Sequence, residues 1–125
     1  HRVAPPPPVS DAVGGHHSFT LGPEAWAATS ALYPSYGRMA STRASVWDYR
    51  MLVTSGVHFC LNCTLNVWDH AAGVLALEEA GGVARLLDGT SYSPLKRSGL
   101  LLCAADEALW RTVATHFSEA LESAK

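Results

Sequence analysis

An uninterrupted apolar run, Leu100-Leu101-Leu102-Cys103, sets the terms for the fold. It is too short for a stable helix, and it has no polar face to turn toward water. A run of this kind reads as a strand covered on both sides of its sheet, and the cover has to be helices. The next segment is one such helix. From about Asp106 to Glu122, Leu109, Val113, Phe117 and Leu121 recur every four residues, while Glu107, Arg111, Glu119 and Glu122 point elsewhere.

Upstream the same alternation continues. Val57 to Asn62 reads as a strand, with Val57, Phe59 and Leu61 on one face and His58, Cys60 and Asn62 on the other. Val83 to Leu87 is a second short strand, turned by Asp88-Gly89. Ser18 to Leu21 is a further strand candidate. Pro23 opens a helix to about Ala31 that ends at Tyr33-Pro34. Ser41 or Thr42 caps another to about Thr54, and Asp69 caps a third, Ala71 to Ala80, stopped by Gly81-Gly82. Strands and helices alternate without an internal repeat, so the expected class is α/β, a sheet with helices packed on its faces.

The 125 residues suffice for one domain, and 48% hydrophobic with 16% charged residues suits a packed globular core. Nine basic and eleven acidic side chains leave a net charge of −2, with no basic run to hold a nucleic-acid backbone or an anionic membrane. No apolar stretch approaches the ~20 residues that span a bilayer. Three cysteines, an odd number, argue for a reducing compartment, so the cytoplasm is expected. Pro5 to Pro8 favour a stiff, extended backbone that donates no amide hydrogen bonds. Residues 1–15 therefore read as an irregular lead-in or linker, and 16–125 as the domain.

The chemistry points to Asn66-Val67-Trp68-Asp69-His70-Ala71-Ala72-Gly73. A carboxylate at a helix N-terminus faces unpaired amides and the positive end of the helix dipole, both of which favour its ionised form. An ionised oxygen on a rigid element suits a hard cation such as Mg²⁺. The competing reading is an ordinary Asp cap on a tightly packed helix. His70 reads as a solvated or capping residue, or as a group near a phosphate. Cys60-Leu61-Asn62-Cys63 has the spacing of half a zinc site, but no second pair follows it. The four tryptophans, Trp26, Trp47, Trp68 and Trp110, are spread over different elements as core residues are.

Trp68-Asp69-x-Ala71-Ala72-Gly73, with Glu79-Ala80-Gly81-Gly82 starting ten residues after Asp69, resembles the second signature of the inositol monophosphatase family. The likeness runs more weakly from about His16 to the C-terminus and includes Val83 to Gly89. It implies a mixed sheet flanked by helices, like the C-terminal half of the layered αβαβα sugar-phosphatase fold. It also implies Mg²⁺-dependent hydrolysis of a phosphate monoester, with Asp69 as a metal ligand. Arg43-Ala44-Ser45-Val46-Trp47 resembles the family's Gly-Ser-Ala-Ala helix start, so Ala44 and Ser45 are expected to line the substrate pocket. Asn62 falls where many members place a Glu that grips substrate hydroxyls. An amide donates as well as accepts, which changes the substrate expected.

The family's Glu-Glu pair and Asp-Pro-x-Asp-Gly-Thr motif are absent from these residues. Leu87-Asp88-Gly89-Thr90 imitates the tail of that motif downstream of Asp69 and reads as a turn. The Mg²⁺ ligands are then expected to be completed by an N-terminal half, with this chain inactive alone. A homodimer is expected, with no nucleic-acid or membrane partner. The alternative is a non-catalytic interaction module that retains the scaffold.

Overall fold

The computed structural model describes residues 2–17, 23–40, 45–62, 67–93 and 100–123, some of them by backbone alone. Five strands form one mixed sheet: β1 (Val13–His17), β2 (Arg38–Ala40), β3 (Phe59–Asn62), β4 (Val83–Leu86) and β5 (Leu101–Ala104). Four helices join them: α1 (Pro23–Ser30), α2 (Ser45–Val53), α3 (Val67–Glu79) and α4 (Glu107–Ser123). The strand order is β2-β1-β3-β5-β4. β1 runs parallel to both β2 and β3, whereas β5 is antiparallel to β3 and β4.

The register explains the two cores. Phe59 opposes Ala104 and Leu61 opposes Leu102, with Val83 and Arg85 beyond them on β4. This row meets Leu109, Trp110, Val113, Ala114 and Phe117 of α4, and α1 packs against α4 on the same side. The other row, Cys60, Cys103 and Ala84 with Leu101 and Leu86, meets Tyr49 and Leu52 of α2 and Val74 and Leu77 of α3. All four residues of β5 are buried, as an apolar run between two helical layers must be.

Several local expectations are met for visible reasons. Asp106 accepts the Leu109 amide at 2.8 Å and so caps α4. Gly81 ends α3 at φ +96°, a left-handed setting that favours glycine. Asp88 Oδ1 accepts the amide and hydroxyl of Thr90 at 2.9 and 2.6 Å, and Gly89 has φ +91°, so Leu87 to Thr90 is a turn.

Others are corrected. Val13 to Gly15, expected to be irregular, are the first residues of β1, a strand paired on both sides. Its glycines carry no period-2 signal. Gly14 opposes Phe59, whose Cζ would lie 2.2 Å from an added Cβ, so a side chain there would displace the ring. The strand β2 has only three residues and was not foreseen. Val57 precedes β3 and packs in the α2–α3 core, not with Phe59 and Leu61. The helix α3 starts at Val67, so Asp69 is its third residue and not the residue before it. The candidate strand Ser18–Leu21 lies outside the described residues.

Candidate functional site

Chain direction gathers the candidates at one edge of the sheet. β2 ends at Ala40 and α2 begins at Ser45; β3 ends at Asn62 and α3 begins at Val67. Each helix then packs on the sheet and returns the chain to the start of the next strand, Phe59 or Val83. The amino ends of α2 and α3 therefore lie at the carboxyl ends of β1, β2 and β3. In open α/β sheets this is the edge where ligands bind. Helix amino ends bring unpaired amides and a positive dipole end to the same place.

Three sequence-predicted positions reach that edge. The backbone of Ser45 opens α2, that of Asp69 lies in the first turn of α3, and Asn62 is the last residue of β3, paired with His17 of β1 and Leu101 of β5. Ala44 lies outside the described residues, as does Cys63. Asn62 is buried on the α2–α3 side, and its Nδ2 donates to Cys60 Sγ at 3.5 Å. Cys60 itself sits in the core, where a free thiol behaves as a small hydrophobe.

His70 corrects an expectation. It is not at the surface but 1% exposed, and its Nδ1 lies 2.9 Å from the hydroxyl of Tyr49, itself 4% exposed. The two rings meet edge to face, 5.9 Å between centroids. Cys103 Sγ donates to the same hydroxyl at 3.8 Å. Burial, with the Cys103 and Cys60 thiols nearby, pushes the Tyr49 hydroxyl far above its ordinary range, so it keeps its proton. A hydroxyl that donates to Nδ1 requires the Nε2–H tautomer of His70.

Gly73 of the signature is explained by the same contact. A Cβ there would lie 2.3 Å from Tyr49 Cδ2, so the ring rests directly on the α3 backbone. Sequence reasoning missed Tyr49. The available signal was its place one turn after Ser45, in the helix that begins at the expected substrate-pocket residues.

Among the described residues no group of three or more His, Cys, Asp or Glu side chains gathers to hold a metal. Those residues alone do not fit Mg²⁺, which takes near-octahedral oxygen coordination.

The arrangement defines a class, an α/β domain with two helix amino ends at the carboxyl edge of parallel strands. The sequence pattern of the inositol monophosphatase family matches residues 14–122, and the chain belongs to that family. The chloroplastic phosphatase IMPL1 of Arabidopsis thaliana is 40% identical over 57 residues, which are 46% of this chain and 12% of that protein. Among solved structures, an inositol monophosphatase from Zymomonas mobilis superposes with a TM-score of 0.81 at 17% identity, covering 94% of this chain and 46% of its own. The Thermotoga maritima enzyme gives 0.80 at 19% identity, covering 99% and 47%. Staphylococcal IMPase-II gives 0.83 at 13% identity, covering 98% and 47%. The fold is that of inositol monophosphatases, and the chain spans about half the length of these solved relatives. No described helix is long and apolar enough to cross a membrane.

Proposed function

We propose that this chain forms the C-terminal half of a Mg²⁺-dependent phosphate monoester hydrolase acting on an inositol phosphate or a related polyol phosphate. The observation that carries the reading is the convergence of the Ser45, Asn62 and Asp69 positions at one strand edge, beside two helix amino ends. A staphylococcal structure of the same fold was solved with inositol monophosphate bound.

In this reading the amides at the start of α2 and α3 attract the phosphate dianion. Ala44 and Ser45 are proposed to line the pocket, and Asn62 to meet a substrate hydroxyl through its Oδ1, since its Nδ2 donates to Cys60 Sγ. Asp69, in the first turn of α3, contributes one oxygen to a Mg²⁺ site whose other ligands come from an N-terminal half.

The test is Asp69→Asn in the intact protein, with and without Mg²⁺, on inositol monophosphates. Phosphate release should disappear while circular dichroism stays unchanged. An active Asn variant refutes the assignment. The isolated chain should release no phosphate and bind Mg²⁺ feebly by calorimetry; turnover by the isolated chain would remove the N-terminal half from the proposal.

A further inference from the structure

We propose that Tyr49 is a positioning residue for this site. Through His70 it ties the first turn of α3, which carries Asp69, to the first turns of α2. The inference rests on the site reading above and adds to it the device that sets the spacing of the two helix amino ends.

Tyr49 lies one turn after Ser45 in α2, and His70 directly follows Asp69 in α3. Their hydrogen bond therefore joins the two helices next to the residues that the site uses. Both side chains are buried, so the bond is shielded from water, and leaving it half made is costly. It is also directional, which an apolar contact is not. The Cys103 thiol of β5 meets the same hydroxyl, so the sheet, α2 and α3 converge on one oxygen atom. Gly73, one turn along α3, removes the side chain that would otherwise hold the helices apart. An apolar ring at position 49 would fill the space but leave the rotation of α3 unspecified. Site geometry is sensitive to such freedom, since a misplacement of ~1 Å can cost a factor of ~100 in rate.

The experiment uses the intact protein with Mg²⁺ and inositol 1-phosphate. Tyr49→Phe deletes one buried oxygen. Its kcat should fall roughly 10- to 100-fold while KM stays within roughly threefold, because orientation and not affinity is lost. His70→Asn keeps an acceptor near the position of Nδ1 and should retain kcat within roughly threefold of the parent, whereas His70→Leu should fall as far as Tyr49→Phe. The double variant Tyr49→Phe/His70→Leu removes both members of the pair. It should regain thermal stability relative to Tyr49→Phe but not kcat. The ¹⁵N resonance of His70 Nδ1 should sit at the value of a hydrogen-bonded acceptor and move in Tyr49→Phe, a readout independent of turnover.

Parental kcat in Tyr49→Phe, alongside an inactive Asp69→Asn, would overturn the positioning role and leave the site reading standing. Recovery of kcat together with stability in the double variant would also overturn it, because packing alone would then suffice. An active Asp69→Asn, or no phosphate release by the intact protein, removes the site reading and this inference with it.

Discussion

Gly73→Ala should destabilise the protein, against the intrinsic preference of helices for alanine. In an open helix the substitution would gain ~0.5–1 kcal/mol. Here the new methyl would sit 2.3, 2.4 and 2.7 Å from Tyr49 Cδ2, Cγ and Cε2. Carbon atoms pack at ~3.5–4.0 Å, so the ring or the helix must move by ~1 Å or more. The ring has little room, being 4% exposed and held at its hydroxyl by His70 and Cys103. Overpacking a core costs ~1–3 kcal/mol, and so rigid a neighbour places this case near the upper end. Subtracting the helix gain leaves a net loss of ~2 kcal/mol. For 125 residues at ~2.1 cal/mol/K each, the unfolding entropy is ~0.26 kcal/mol/K, so Tm should drop by ~8 °C. Calorimetry or urea unfolding measures it. In a Tyr49→Leu background the same substitution should cost less than ~1 kcal/mol, because the clash is gone. A Gly73→Ala protein as stable as the parent, or more stable, would refute the close approach of α2 and α3.

Two further outcomes follow from single contacts. Asp106→Ala removes the acceptor for the Leu109 amide and should cost ~0.5–2 kcal/mol in urea unfolding; Asp106→Asn, which keeps an acceptor oxygen, should cost less. His58 accepts the Val13 amide at Nδ1, and burial lowers its pKa below the ordinary 6.5. The unfolded chain then binds the proton more readily, so stability is full above pH 6.5, declines as pH falls below it, and levels off beneath the depressed value. Urea midpoints from pH 8 to 5 should show this decline, and His58→Gln should flatten it. Equal slopes in the two proteins would exclude His58 as the cause.

The legible elements were those whose side chains advertise their surroundings. The apolar run at β5 and the four-residue stripe of α4 required a sheet between helical layers, and both occur close to the expected boundaries. The two short strands β1 and β2 carried no such signal. Gly14 and Gly15 have no side chains to alternate, and β1 is held by backbone pairing to β2 and β3, which are distant in sequence. Asp69, Ser45 and Asn62 were legible as candidates because the signature around Asp69 is specific and the family resemblance extends to the segments of Ser45 and Asn62. Tyr49 and the burial of His70 were not, because both depend on how closely α2 approaches α3.

Local sequence by itself determined the class of the fold, the glycine stop of α3, the turn after β4, and the presence of a carboxylate near the amino end of α3. Those features depend on periodicity and on contacts within a few residues. Tertiary structure alone decided the order of the strands, the convergence of two helix amino ends on one edge, and the hydrogen bond between Tyr49 and His70. Each of these joins segments far apart in the chain. Their energy arises only once the sheet has brought those segments together, so no local pattern records them.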